Sequence, residues 1–294
     1  MHLPVFKKEV IEYLAPKANE NFIDCTFGEG GHTLEILKRT RPRGKVLAIE
    51  IDPDLYQKGR KIEKKFKGRL ILRKGNFANL KEIVEKEKFH PTSGILFDLG
   101  ISLWHLENSK RGFSFKREEE LIMRYDKNLK NLLVKDLLNS FSQKEIEKIL
   151  REQGQEKFAR EIAREIVKER KKRKIEKTFQ LVEIIKKATP NWYQKRKIHF
   201  ATKTFMALRI FVNEELENLK KGLKGALEIL EKGGKIVVIS FHSLEDKIVK
   251  NFFKNKAKEK LIKILTPKPK TPTKEEILFN PRSRSARLRV AKKI

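Results

Sequence analysis

An α/β fold, a mostly parallel sheet interrupted by an all-helical insertion, is what this sequence predicts, and three observations lead there. From the N-terminus to Leu106, short apolar runs bounded by turn residues alternate with stretches of helical period, the mark of β-α-β units. Those runs, VLAI and ILF among them, are apolar without alternation, as strands covered on both faces must be. From 107 to 200 no convincing strand occurs, yet KIVVISF (235–241) is again a buried strand. One interrupted α/β domain accounts for this, whereas two tandem domains would leave 235–241 with no sheet to join.

The elements follow in order. An amphipathic segment, PVFKKEVIEYLAP (4–16), leads into a strand over 21–27, a glycine turn, and a helix from Thr33 to Arg39. Strand 45–52, helix 53–66, strand 69–77, helix 79–87 and strand 93–100 come next. In the insertion, VKDLLNSFSQKEIEKILREQG, FAREIAREIVKERKKRK and TFQLVEIIKKA read as helical; Ile162, Ala163 and Ile166 keep one apolar face ahead of a basic run, 168–174. Residues 200–230 form two helices, with Phe205, Leu208, Val212 and Leu216 at i, i+3/i+4 spacing. The turn EKGGK precedes strand 235–241; helix 244–253, a Pro/Lys/Thr linker (266–276) and strand 286–293 complete the chain. The expected division is a discontinuous sheet domain, 1–106 with 201–294, and an inserted helical domain, 107–200.

Lys and Arg number 69 against 39 Asp and Glu, a formal charge of +30 that exceeds what solubility requires and points to a polyanionic partner. No apolar run approaches the roughly 18 residues of a spanning helix, and the opening MHLPVFKKEV lacks the apolar core of a leader peptide. With Cys25 as its single cysteine the chain forms no internal disulfide, which suits a reducing cytoplasm. The six histidines include no His/Cys cluster at ligand spacing, so no metal site is expected.

The first strand runs into DCTFGEGGHT (24–33), and in open α/β sheets that turn usually carries the cofactor. A dinucleotide turn spaces its glycines G-x-G-x-x-G so that backbone N–H groups meet a pyrophosphate. Here the glycines are Gly28, Gly30 and Gly31, followed by His32, and Asp24 precedes the first. A carboxylate so placed repels a pyrophosphate and suits a cation; S-adenosylmethionine carries a sulfonium and an ammonium group and no phosphate. Glu50 ends the second strand, where an acid can accept both ribose hydroxyls; Asn76 and Phe77 follow the third, where they could meet adenine by hydrogen bond and packing. Asp98 ends the fourth, so four polar residues line one sheet edge. Each acid alone could equally be a helix cap or a solvated strand end; Cys25 reads as a small buried hydrophobe.

Beyond that turn, DLGIS (98–102), RGFSF (111–115), MRYD (123–126), ALRIFVNEEL (207–216), ISFHSLEDKIVK (239–250) and NPRSRSARLRVAKK (280–293) are spread over nearly the whole chain. Together these segments resemble the bacterial 16S rRNA cytosine-N4 methyltransferases, the RsmH/MraW family. The resemblance implies a class I (Rossmann-like) methyltransferase sheet with a helical insertion, S-adenosylmethionine as donor, and a cytidine in the decoding region of 16S rRNA as target. It places cofactor contacts on Gly30, Gly31, His32, Glu50, Phe77, Asp98 and His105. Glu50 stands where the family more commonly has Asp, His105 where it has Gln, Ile122 where it has an acid and Met206 where it has Gln.

An exocyclic cytosine amine is a weak nucleophile because its lone pair is delocalised into the ring, so the protein must align the reacting atoms and accept a proton or hydrogen bond. Asp98, with Ser102 in the turn that follows, occupies the strand-four position where amino-methyltransferases do this; Trp104 offers a stacking face, and Asp98 could instead be committed to the cofactor. His242 and Ser243 lie after strand 235–241 on the same edge, either to handle the cytidine or simply as a capped helix start with Ser243 as cap. Arg111, Phe113 and Phe115 suit base stacking with phosphate contact, unless the phenylalanines anchor their loop. Arg124, Arg209 and Asn213 could turn toward the pocket, although an ion pair of Arg209 with Glu215 or Asp126 explains that arginine nearly as well. The run 168–174, Arg282 and Arg284 are expected to touch phosphates. The expected partner is 16S rRNA within the 30S subunit, with no membrane, and apolar spacing on the insertion helices permits a homodimer. A DNA amino-methyltransferase would want a proline pair that DLGISLW lacks. A NAD(P) oxidoreductase conflicts with the glycine spacing, and a non-catalytic rRNA assembly factor is separated by methyl transfer itself.

Overall fold

The structure is a computed structural model that describes residues 4–128 and 132–294; the first three residues of the opening segment read against a leader peptide lie outside the described residues. In chain order, helix α1 (Lys7–Leu14) is followed by β1 (Phe22–Asp24), α2 (Gly31–Arg39), β2 (Val46–Glu50), α3 (Pro53–Glu63), β3 (Leu70–Lys74), α4 (Leu80–Lys86) and β4 (Gly94–Asp98). Helices α5 (Leu103–Glu107), α6 (Val134–Ser140), α7 (Gln143–Gly154), α8 (Ala159–Arg170), α9 (Thr178–Ala188), α10 (Asn191–Gln194) and α11 (Thr202–Val212) come next. Then come α12 (Glu215–Ile229), β5 (Lys235–Ser240), α13 (Ser243–Lys258), β6 (Ile262–Ile264), α14 (Lys274–Phe279) and β7 (Arg287–Lys293). Two compact units result: Met1–Gly100 with Leu216–Ile294, and Ile101–Glu215.

The first unit holds a seven-stranded sheet in the order β3-β2-β1-β4-β5-β7-β6. Strands β1 to β5 run parallel, and β7 is antiparallel to both β5 and β6. Successive strand residues feed opposite faces, which is why the runs are apolar throughout. Ile23, Leu47, Ile49, Phe97 and Val238 pack with Leu80, Leu223 and Phe253 on one side. Phe22, Ala48, Leu96 and Val237 pack with Val10, Leu14 and Ile36 on the other. Each of the Val, Leu, Ile and Phe side chains among them contributes about 1.5–3 kcal/mol by leaving water. Strand order reverses between β1 and β4, and ligands in such sheets bind at that switch point, beyond the carboxyl ends.

In the second unit α7 packs against α8 and α11, and α8 against α9. The buried residues are those of the helical stripes: Ile146, Ile149 and Leu150; Ile162, Ala163 and Ile166; Leu181, Ile184 and Ile185. Ser142 and Glu145 form the capping box that starts α7.

Several boundaries depart from the sequence expectation. The units part after residues 100 and 215, not 106 and 200, because α11 lies on α7. Gly154 permits that approach: a Cβ there would come within 2.8 Å of the Lys203 carbonyl oxygen and 2.9 Å of Ala207 Cβ. The strand expected to reach 77 stops at Lys74, since Asn76 Oδ1 accepts from Ala78 N at 2.9 Å and opens a short helical turn. The expected linker 266–276 ends in helix α14, capped by Thr273 Oγ1 accepting from Glu276 N at 3.1 Å. Strand β6 has no counterpart in the sequence reading.

Candidate active site

The parallel order β3-β2-β1-β4 places Asp24, Glu50, Asp98 and the Asn76–Phe77 turn at the carboxyl ends of neighbouring strands. The glycine turn opens α2 over this edge. Gly30 is its N-cap at φ +82°, a left-handed conformation, and a Cβ there would stand 2.9 Å from the Phe27 ring. Gly28, also left-handed, donates its N–H to Glu50 Oε2 at 2.8 Å. Gly31 is the first residue of α2 and His32 the second.

Asp24 is fully buried; its Oδ2 accepts from Thr33 Oγ1 at 2.6 Å and its Oδ1 from Thr26 N at 3.0 Å. Burial pushes its pKa up, against the lowering by Thr33 and His32. Thr26 Oγ1 also accepts from Asp98 N at 2.8 Å, so one hydroxyl ties the tips of β1 and β4. Glu50 Oε1 accepts from Asp52 N at 2.8 Å, and burial raises this carboxyl to about 8. Each Glu50 oxygen thus already holds a backbone N–H, so the acid shapes the turn and meets any ribose hydroxyl only through its remaining lone pairs. Thr26 and Thr33 went unremarked in the sequence, although Asp-x-Thr at a strand-to-turn junction is a signal for such bracing. Burial also drives the Cys25 thiol well above its ordinary pKa, as fits a packing residue.

His32 and Asp98 differ from these braced groups. His32 Nε2 lies 3.5 Å from Asp98 Oδ2. Both His32 ring nitrogens and Asp98 Oδ1 are buried with no hydrogen-bond partner among the described residues. Buried polar atoms without partners are costly, and two side chains holding three of them at one sheet edge are fitted to a polar ligand that completes them. Phe77 meets Phe97 edge-on with centroids 5.5 Å apart and is half-buried; Asn76 is also half-buried, its Oδ1 used by its own turn.

His242 follows β5 on the same edge. It is itself the N-cap of α13, its Nδ1 accepting from Glu245 N at 3.4 Å and its Nε2 lying 3.2 Å from Glu245 Oε1. Ser243 is therefore the first helical residue, not the cap, and is exposed. Arg282 and Arg284 are exposed on the segment before β7.

The other expected site residues lie within the helical unit, and most are occupied there. Ser102 Oγ is 2.7 Å from His105 Nδ1, and the His105 ring is boxed by Trp104, Phe113 and Tyr125 at 5.4, 5.2 and 5.0 Å. Phe113 is buried, stacked on Tyr125 at 5.4 Å. Arg111 is buried and donates to the carbonyls of Arg124 and Tyr125, at 3.2 and 2.7 Å. Arg124 donates to the Val212 carbonyl. Asn213 Nδ2 donates to the Met123 carbonyl at 2.7 Å, and its Oδ1 accepts from Tyr125 N at 3.0 Å. Arg209 pairs through two nitrogens with Glu215, at 2.8 and 2.9 Å. Of these residues, expected to face RNA, Arg111 thus closes the 111–125 loop on itself, and Arg124 and Asn213 hold it to the end of α11. Phe115 is half-buried and stacks on His199 at 4.4 Å.

A reversed-order parallel sheet with antiparallel β7, and an acid-lined glycine turn without dinucleotide spacing, define a Rossmann-like methyltransferase of the class I type. The MraW methylase family model matches residues 1–294, and the chain belongs to that family. It is 46% identical over 293 residues to a protein of Persephonella marina, covering 100% of this chain and 99% of that protein. It is 47% identical over 294 residues to one of Thermosipho melanesiensis, covering 100% and 98%. A Thermotoga neapolitana protein is 44% identical over 293 residues, covering 99% and 95%. All three are named "Ribosomal RNA small subunit methyltransferase H".

Proposed function

We propose that this methylase modifies the exocyclic N4 of a cytidine in the decoding region of 16S rRNA, using S-adenosylmethionine. The observation that carries the reading is the facing pair His32 and Asp98, three of whose polar atoms are buried with no hydrogen-bond partner among the described residues, beside a phosphate-averse glycine turn. Relatives over the full chain bear a small-subunit rRNA methyltransferase name, which supports ribosomal RNA as the substrate. The donor, when bound, supplies an electrophilic methyl on a sulfonium.

The chain's own residues do the rest. Gly28, Gly30 and Gly31 keep the turn low enough for a nucleoside, and Asp24 holds it in place through Thr33. Glu50, Asn76 and Phe77 receive the ribose and adenine, and His32 orients the donor. Asp98 takes the hydrogen bond, or the proton, from the cytosine amine as its lone pair is drawn out of the ring. His242 would meet substrate through Nε2, the nitrogen that also faces Glu245 Oε1, since Nδ1 serves the cap. The target base must leave its stack to reach such an edge. The large positive charge supports an assembled 30S particle in the cytoplasm as the substrate form.

Tritiated-methyl transfer to purified small subunits and to naked 16S rRNA, with mass mapping of the nucleoside, tests this. N4-methylcytidine is expected, and Asp98→Asn should lose at least about a hundredfold in rate, the usual scale for a positioned acid or base. A methyl on a ribose or ring carbon, or an undiminished Asp98→Asn, would overturn the proposal.

A further inference from the structure

The helical unit carries a second feature outside the residues assigned so far. Trp192 is 55% exposed, whereas its neighbour Tyr193 is buried. Tyr193 donates its hydroxyl to the buried carboxylate of Glu156, at 2.8 Å to one oxygen and 2.9 Å to the other, and Glu156 also accepts from Phe158 N at 3.1 Å. This anchor fixes the short helix α10 and turns the indole outward. Lys157 Nζ lies 5.1 Å from the indole centroid and 5.9 Å from that of Phe158; the Arg196 guanidinium covers Tyr193 at 5.0 Å. Residues 191–199, NWYQKRKIH, contain no acid, and Lys195, Arg196 and Lys197 are all exposed.

We propose that Trp192, flanked by Lys157 and Arg196, is a stacking platform for an unpaired base of the RNA substrate, with the two cations taking its phosphates. The inference rests on the reading of this chain as an RNA methylase. An exposed indole beside a lysine, on a segment without acids and next to the buried, hydrogen-bonded Glu156 anchor, matches a polyanion that presents flat π faces. Single-stranded RNA has both properties, and its bases stack on aromatic side chains whatever their identity. A duplex keeps its bases stacked on one another and offers the indole nothing.

The test uses the full-length protein and a labelled single-stranded RNA oligonucleotide. The chain has two tryptophans, and Trp104 is buried, so quenching by a stacked base should arise chiefly from Trp192. RNA should quench the wild-type fluorescence, and Trp192→Phe should lose that quenching while keeping most of the affinity. Trp192→Ala should weaken binding about five- to hundredfold, the range of one lost stacking contact. Lys157→Ala with Arg196→Ala should lower the salt dependence. Unchanged affinity in Trp192→Ala would overturn the platform. So would a Trp192→Ala defect confined to assembled subunits with naked-RNA binding intact, since that assigns the face to a protein. Quenching of Trp192 by RNA without any methyl transfer by the wild type would instead sink the methylase reading and leave the platform standing.

Discussion

Burial of Glu50 away from water outweighs the two backbone N–H groups that favour its charged form, so its proton is held far more tightly than in the unfolded chain. Its pKa rises from an ordinary 4.5 to about 8. A raised folded-state value means that this contribution to stability is complete below about 4.5 and is lost as the pH climbs through about 8. Ligand-free protein should accordingly melt at lower temperature between pH 5 and 8, with a slope of at most about 1.4 kcal/mol per pH unit from this group. Glu50→Gln should flatten that part of the profile, at the cost of one weakened backbone bond. Thermal melts of both proteins across the range decide it, and parallel profiles would show that Glu50 ionises normally. His32 and Asp98 were legible in the sequence as candidates because they sit at a glycine turn and a strand end. The absence of partners for their polar atoms was not, since it depends on what every neighbouring element fails to supply.

Among the elements, β1, β2, β4 and β5 were readable because each is buried on both faces and so leaves an unbroken apolar run, while β3, at the sheet edge, was readable from its shorter run Leu70–Leu72. The end of the helical unit was not. Its stripe Phe205, Leu208, Val212 is buried as it would be against a sheet, and the approach of Lys203 and Ala207 to Gly154 of α7 is what assigns α11 to the helical unit. The loop clamp was equally hidden: Asn213 reaches Met123 and Tyr125 across most of the unit's length in sequence. Asn213→Ala would leave a buried N–H and a buried carbonyl unsatisfied, a loss of about 2–4 kcal/mol. Hydrogen exchange should report faster opening of 111–125, with Asn213→Asp recovering only the bond to Tyr125 N. Unchanged protection in Asn213→Ala would remove the clamp from the account.

For the molecule as a whole, a charge of +30 is the property most easily over-read. Part of the basic run 168–174 is spent internally: Lys168 and Lys172 pair with Glu165 and Glu169, and Arg170 donates to the carbonyls of Leu138 and Phe141. Phosphate contact is also expected at the exposed Arg282 and Arg284. Replacing both with alanine should reduce the log-log salt slope of RNA binding by about one to two, and an unaltered slope would exclude them.

The division of the sheet by the helical unit also bears on how the chain folds. Residues 94–98 of β4 pair with 235–239 of β5, so the centre of the sheet is sealed only after the whole of 101–215 has been spanned. If that stretch is still unfolded, closure pays the entropy of a long loop; if its helices have already condensed, the two strands are held within reach. Lesions within the insertion such as Asn213→Ala should therefore slow refolding of the sheet, which makes the insertion an internal scaffold for the assembly of its host.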